Sequence, residues 1–510
     1  GFFGLTSFIF IIHFFFPIDW IVSLLVLAIA LPGAFLVVTS ARQKGYLLPN
    51  YFLIFAIMGI FIFSVTAGWR FERDMGLYHF QAVRIINSYP SIPGLTNLHH
   101  RFGNISAFYN ASALVSFYPI GIRGAIFNTP LALIFILFTS HQLILGIIAF
   151  KKQIYYIATY SLLSVVAVYS TWYHFGAVLD ITVLLYGLMI GHYLLKLAVK
   201  NEKEDFFTLT LLVVSGATIK MSIAPFGVTA FLIMLIFQVF HEKSIKPFVP
   251  FGLLSGLLLI PFFLHHIHAS GMLLFPLESS NLNLQWSNTA AAINNRVSVT
   301  GWARHPGPGF FETLGNWNWI PSWWGANKKI ILGVLCGFLA TLSVYFVSLF
   351  FLAKKTTQEK LSSFAMLSMV IFPVLCGLIF WFLVTPSFRF SGAMFLLPSI
   401  FALSLATKEI EFKIRKIVFL IAFILFVPLF VLKNIKLYEK QMKNPRSPKI
   451  PIVNMQEKTT DSGVKVYVPV QRLAWDSNKF PNTPFFNRRL RFIGNDIQGG
   501  FMIQKPPKKQ

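Results

Sequence analysis

Residues 206–240 read FFTLTLLVVSGATIKMSIAPFGVTAFLIMLIFQVF, two apolar runs separated by one cation, Lys220. A helix needs about 20 apolar residues to cross a bilayer core, fewer where its ends are polar or the helix is broken. The runs 206–219 and 222–240 therefore read as two transmembrane helices joined at a tight break. A charge at membrane depth is expensive and is usually kept for a function, which sets Lys220 apart from a surface lysine.

The rest of the chain is built the same way. Of its 510 residues, 55% are hydrophobic, 12% are charged and 57 are Phe, which excludes a soluble globular protein. Further apolar stretches lie at 2–16, 20–40, 51–67, 127–150, 153–170, 178–198, 247–265, 329–353, 361–384, 390–406 and 417–433, giving about thirteen spans. The chain opens on GFFGLTSFIF and stays apolar, so the first stretch reads as a retained helix rather than a cleaved signal.

Lys and Arg outnumber Asp and Glu by 43 to 18. In another composition that excess would suggest nucleic acid as a partner. Here the cations fall between apolar stretches and in the tail, so no nucleic-acid partner is expected. One alternate set of connections carries Arg42 and Lys44, Lys151 and Lys152, Lys200 and Lys203, Lys243 and Lys246, Lys354 and Lys355, and Lys408 through Lys416. The positive-inside rule makes that set cytoplasmic. Residues 68–126, 171–177, Lys220, 266–328, 385–389 and the tail 434–510 then face the outside. The expectation is an all-α polytopic protein of the bacterial plasma membrane. It comprises a membrane module, residues 1–433, with outer loops 68–126 and 266–328, and a small extracytoplasmic domain with some β, residues 434–510. The two cysteines, Cys336 and Cys376, sit inside apolar stretches and read as free buried thiols, a disulfide between neighbouring helices being the alternative.

The outer loop that begins with Trp69 to Arg101 is the richest in chemistry. It starts Trp69-Arg70-Phe71-Glu72-Arg73-Asp74 where the chain leaves the bilayer, and a carboxylate there stays hydrated and can accept a proton. Tyr78, His79, Gln81, Ala82 and Arg84 suit a short helix lying on the membrane surface. Three other ionisable residues converge on the same face: Asp180 at the outer end of its helix, Lys220 in the break, and Arg389 in TPSFRFSGAMFLLP. Carboxylates there serve as general bases, and cations hold a phosphate leaving group. The plain alternative is a set of ion pairs closing the bundle, such as Asp180 with Lys220.

Loop 266–328 holds six of the eleven tryptophans, at 286, 302, 317, 319, 323 and 324, which are stacking faces for sugars or an interfacial aromatic belt. The tail alternates at VKVYVPV, 464–470, as a strand does. His79, His99, His100, His174, His265, His266, His268 and His305 all fall on the outer side. A pair or triple of them is the competing constellation, for Zn²⁺, but HHIH at 265–268 has neither a helical i, i+4 pair nor a nearby acid.

At these residues the chain resembles the GT-C membrane glycosyltransferases, which use polyprenyl-phosphate sugars, in the style of the protein O-mannosyltransferase and lipid A aminoarabinose transferase branch. Glu72-Arg73-Asp74 is similar to the acidic motif of that family's first outer loop, and Tyr78 and Ala82 to the short helix after it. GATIKMS resembles its glycine-to-lysine turn, and Arg389-Phe390 followed by Leu396-Leu397-Pro398 its arginine-aromatic and Leu-Pro pattern. The stretch around Gly76-Leu77-Tyr78-His79 and Pro93-Gly94-Leu95 also resembles a group of large bacterial membrane proteins assigned to the same superfamily. The likeness spans residues 50–405. It implies a GT-C-like architecture and an inverting sugar transfer from a polyprenyl-phosphate donor to a glycan, lipid or protein acceptor. Asp74 would be the base. Glu72 would be its support or a metal ligand, unless Arg73 pairs with one of them. Lys220, Arg389 and Arg101 would bind the donor phosphate, and Tyr78, His79, Asp180 and His174 the substrates. A divalent cation is compatible with the family and its role stays open. The rival readings are a polysaccharide polymerase or ligase using a polyprenyl-diphosphate donor, and a non-catalytic transporter or lipid-handling subunit, which would place its charges near the bilayer midplane in pseudo-symmetric halves.

Overall fold

The computed structural model describes residues 2–43, 73–116, 156–157, 159–164, 167, 179–307, 309–353, 355–409, 451–475 and 477–504. These are mostly helical, with two small sheets near the C-terminus. Five helical segments are long and apolar enough to cross a membrane: Asp180–Lys200, Met221–Glu242, Lys246–Ser270, Ile320–Phe351 and Thr357–Val384. They correspond to five of the stretches expected from sequence. Phe2–Phe15 (α1), Trp20–Gln43 (α2) and Lys203–Ile219 are further apolar helices. The expected spans 51–67, 127–150 and 417–433, with most of 153–170, lie outside the described residues.

The centre is the helix Leu179–Lys200, whose Ile181, Leu184, Leu185, Leu188, Ile190 and Leu194 are all fully buried. Lys203–Ile219 folds back along it and Ala224–Glu242 returns again. Two antiparallel helices joined by a two-residue turn bring the start of the first beside the end of the second. Asp180 and Lys220, 40 residues apart, therefore arrive at the same end of the pair. The opposite end is tied by Lys196 to Asp205 at 2.6 Å and Lys203 to Glu242 at 2.9 Å.

By contrast, Ile320–Val347 leaves Ile330, Leu332, Leu335, Leu339, Val344 and Val347 exposed. Bare apolar side chains in such number are rare on a soluble surface and suit contact with lipid.

Several boundaries differ from the sequence reading. The helix Val249–Ser270 runs past His265 to a Gly271 cap, so HHIH belongs to its C-terminal end, and His265 and His266 are buried. Loop 266–328 contains a helix, Thr289–Arg304, and the next helix begins at Ile320 rather than 329. Within this loop Trp319 and Trp323 are buried, while Trp302, Trp317 and Trp324 are exposed. Cys336 and Cys376 are both free, and Cys336 is exposed rather than buried.

The short helix expected on the membrane surface is present as Phe80–Ser88 (α3), preceded by a wide turn, Met75–His79. It does not lie free on a surface, because Phe80, Gln81, Val83 and Ile85 are buried. The C-terminal strands cover it. Met455–Thr459 pairs antiparallel with Lys465–Pro469, and Leu490–Phe492 with Phe501–Ile503. VKVYVPV forms the second of these strands as its alternation requires. Val464, Val466, Leu490 and Phe501 form one apolar cluster with Ile85, Ile92, Leu98 and Phe102 of the outer loop, so the two sheets have their core in common with that loop.

Candidate active site

Four segments meet at one end of the bundle and set out a row of alternating charge. Arg389 Nη2 donates to Asp74 Oδ2 at 2.5 Å, Arg389 Nε lies 3.2 Å from Asp180 Oδ2, and Lys220 Nζ donates to Asp180 Oδ1. The order Asp74, Arg389, Asp180, Lys220 sums to zero charge. Phe390 lies beneath both cations, 4.0 Å from Lys220 Nζ and 4.9 Å from Arg389 Cζ, where the ring face adds a favourable cation–π contact.

Each member is placed by local chemistry. Asp180 stands in the first turn of its helix, where a carboxylate meets the positive end of the macrodipole. Lys220 closes Lys203–Ile219 in an extended conformation, so its cation sits at the negative end of that helix. Arg389 lies on a short loop pinned by two indoles: Trp323 Nε1 donates to the Pro386 carbonyl and Trp381 Nε1 to the Ser387 carbonyl, each at 2.7 Å. Gly392 then turns the chain at φ +55°, a conformation that suits glycine, with Val183 of the central helix too close to admit a Cβ. Trp323 is thus a structural anchor of the Arg389 loop rather than a sugar-stacking face.

Asp180 is 2% exposed, whereas the Asp74 side chain is 25% and that of Arg389 38% exposed. The Asp180–Lys220 pair is therefore the internal half of the row, and the Asp74–Arg389 pair faces outward. Burial alone would raise the Asp74 carboxyl, but the Arg389 guanidinium, with smaller contributions from His79 and Arg101, offsets it and holds the pKa below the usual carboxylate value. Burial disfavours the charge of Arg389; the carboxylates of Asp180 and Asp74 outweigh it and raise its pKa. Both are ionised at neutral pH.

Tyr78 and His79 flank the row. Their rings are 4.3 Å apart, and His79 meets the Tyr109 ring at 5.4 Å. Burial lowers His79 to about 4 despite the nearby charges of Asp74 and Asp180, so the imidazole is neutral at pH 7. Arg101, expected with Lys220 and Arg389, is held elsewhere: it donates to Asn295 Oδ1 at 3.0 Å and Ser298 Oγ at 3.1 Å, 6.0 Å from the Tyr78 ring centre. Its positive field still reaches Asp74. Glu72 and His174 lie outside the described residues. Among the described residues no group of three or more His, Cys, Asp or Glu is arranged to hold a metal ion.

The sequence reading takes Gln81 only as a residue of a surface helix and misses Trp475 and Asn482; together these three join the acidic loop to the C-terminal segment. A glutamine on the apolar face of a short helix was the one available signal.

The buried imidazoles set a pH dependence. His79 and His100 are lowered to about 4, and His99 well below its ordinary value, in each case chiefly by burial. Below pH 6.5 the unfolded chain binds protons that the folded chain refuses until about pH 4, so stability falls as pH drops through that window and is level above it. For His79 the shift corresponds to about 3 kcal/mol. Asp74 acts lower, its contribution being lost only as pH falls below the ordinary carboxylate range. Thermal unfolding in detergent is expected to show a falling midpoint from pH 6.5 to 4 and a shallower slope in His79→Gln. A slope that His79→Gln leaves unchanged would remove His79 from this account.

No curated protein matches the chain, and no solved structure does. One family matches residues 1–397, which hold every member of the charge row, and it is described as a domain of unknown function, DUF8201. The chain belongs to the DUF8201 family.

Proposed function

We propose that the chain is an inverting membrane glycosyltransferase that moves a sugar from a polyprenyl-phosphate donor to a glycan, lipid or protein acceptor on the extracytoplasmic side of the bacterial plasma membrane. The observation that carries the reading is the outward half of the row, where the partly exposed Asp74 carboxylate is held 2.5 Å from Arg389. A base and a phosphate-binding cation in direct contact are what such a transfer requires. The acceptor hydroxyl or amine loses its proton to Asp74 as its oxygen or nitrogen attacks the anomeric carbon. The bond from that carbon to the phosphate oxygen breaks, and polyprenyl phosphate leaves with its charge met by Arg389 and Lys220. A donor phosphate competes with Asp74 for Arg389, so donor binding itself frees the base. Lys220 stands behind, within the same row. Glu72 and His174 are assigned as support for Asp74 and as a substrate contact, on the resemblance alone.

The arrangement also bears on the transporter alternative. A conducting pathway would place its charges near the bilayer midplane in pseudo-symmetric halves, whereas Asp180, in the first turn of its helix, and Lys220, at the end of the next, stand together at one end of the helix pair. All thirteen apolar stretches cross the membrane in this reading, the one expected at 390–406 running as the helix Leu397–Glu409.

The test is transfer by the purified chain from a panel of radiolabelled polyprenyl-phosphate sugars, with polyprenyl-diphosphate sugars in parallel. Consumption of a monophosphate donor with release of polyprenyl phosphate and an inverted product is expected. Turnover of diphosphate donors alone would move the polymerase or ligase reading ahead, and no turnover of either class would remove catalysis.

A further inference from the structure

The C-terminal segment lies outside the resemblance on which the catalytic reading draws, yet the connection between its strands Lys465–Pro469 and Leu490–Phe492 reaches the turn that follows Asp74. The Trp475 backbone N–H donates to the Gly76 carbonyl at 2.8 Å. The indole lies over Gly76 itself: a Cβ built there would stand 2.6 Å from ring atoms of Trp475, so no other residue fits without moving the indole. Gln81, buried on the next turn, donates to the carbonyls of Trp475 at 2.7 Å and Ser477 at 3.1 Å, and its own Oε1 accepts from Asn482 at 2.9 Å. Trp475 holds φ at +42°, an uncommon conformation for an aromatic residue that persists where surrounding contacts fix it. Further along, Phe501 N–H donates to the Pro93 carbonyl at 2.9 Å, and Asn97 Nδ2 donates to the Phe501 carbonyl at 3.0 Å.

We propose that the C-terminal segment is a clasp that positions the catalytic loop, and that Trp475, in the connection between its second and third strands and seated on Gly76, is the positioning residue that fixes where the Asp74 carboxylate stands relative to Arg389. The contacts define the clasp, while its effect on transfer rests on the reading of Asp74 as the base. The wide turn Met75–His79 directly follows Asp74, and it is anchored by backbone and indole at its second residue and through Gln81 just beyond its end. Displacing the indole therefore shifts the carboxylate without removing any group of the charge row. A tail that only selected the acceptor would need no such grip on this turn.

The experiment uses the full chain in detergent, with Trp475→Ala, Trp475→Phe and Gln81→Met. Hydrogen exchange is read over residues 75–89 and over the central helix, alongside transfer kinetics. In Trp475→Ala, exchange over 75–89 is expected to rise about tenfold or more while Leu179–Lys200 is unchanged. The kcat is expected to fall about 10²-fold with the donor KM nearly constant, because a shift of about 1 Å in a reacting group costs that much. Trp475→Phe, which keeps a ring on Gly76, restores most of both, and Gln81→Met reproduces the loss at smaller amplitude; these two decide the matter should Trp475→Ala not fold. Unchanged exchange over 75–89 would overturn the clasp. Raised exchange with wild-type kcat would overturn the positioning role. If the wild type transfers no sugar, the glycosyltransferase reading falls separately, and the exchange data still decide whether the clasp exists.

Discussion

Asp74→Asn is expected to lower sugar transfer by about 10²- to 10⁴-fold, the contribution of a positioned general base, while the protein folds as the wild type does. The substitution keeps the shape of the side chain and removes its charge and basicity. Arg389 retains Asp180 at 3.2 Å, so no cation is stranded. The lost pair is partly exposed, with side chains 25% and 38% accessible, and pairs of that kind contribute about 1 kcal/mol or less. The loss should appear in kcat while the donor KM falls, since Arg389 and Lys220 still meet the phosphate and the neutral amide no longer competes for Arg389. Wild-type kcat/KM should also hold on the acid side until pH approaches the ordinary carboxylate range, because in the free protein Arg389 keeps Asp74 ionised below it. In contrast, kcat should begin to fall at higher pH, because a donor phosphate on Arg389 leaves burial to raise the carboxyl. An Asp74→Asn protein that melts normally and transfers at the wild-type rate would leave the row as structure alone.

What the sequence made legible follows from the range of the interactions involved. Apolar runs reveal helices because a bilayer or a buried core demands them residue by residue, and the stretches 178–198 and 206–219 read that way, though the two-residue turn between the helices does not. The meeting of Asp180 with Lys220 was readable as the plain alternative of an ion pair closing the bundle, because consecutive spans bring both to the same face. Arg389 was readable as a charge in an otherwise apolar region, and Asp74 as an acid at the end of one. Trp323 was legible only as an aromatic in a loop, because its role depends on the Pro386 carbonyl 63 residues away. Gln81 and Trp475 are 394 residues apart, and nothing in either neighbourhood announces the other. Arg101 shows the opposite failure. It stands in the right loop with the right charge, yet Asn295 and Ser298 of a helix hidden inside an apparent loop take its guanidinium.

The row also explains why four charged groups can gather on a protein so short of acids. Each carboxylate touches a cation and each cation a carboxylate, so the desolvation cost of any one is offset by its neighbour. A neutral row can be stored at low cost and opened by an incoming phosphate, which supplies Arg389 with the anion that Asp74 gives up. Catalytic readiness and structural closure are then two states of the same contacts rather than competing explanations.

That duality can be separated at the internal pair. Lys220→Met is expected to destabilise the protein strongly, by an amount near the low end of about 3–5 kcal/mol, the usual cost of stranding one partner of a buried ion pair. Asp180 is 2% exposed and would lose its direct donor, and the cost stays at the low end because Arg389 Nε remains 3.2 Å from its other oxygen. Asp180→Asn should cost less, since Lys220 is 22% exposed and can turn toward water, and Arg389 keeps Asp74. The double variant Asp180→Asn with Lys220→Met removes both charges and should melt closer to the wild type than Lys220→Met does, a coupling that thermal unfolding of the four proteins measures directly. Transfer assays on the same set then separate the two roles of Lys220. The double variant is expected to fold and bind donor weakly, because the neutral methionine cannot meet a phosphate. Wild-type donor KM and kcat in that protein would make Asp180–Lys220 a purely structural bolt and leave Arg389 as the cation that receives the donor.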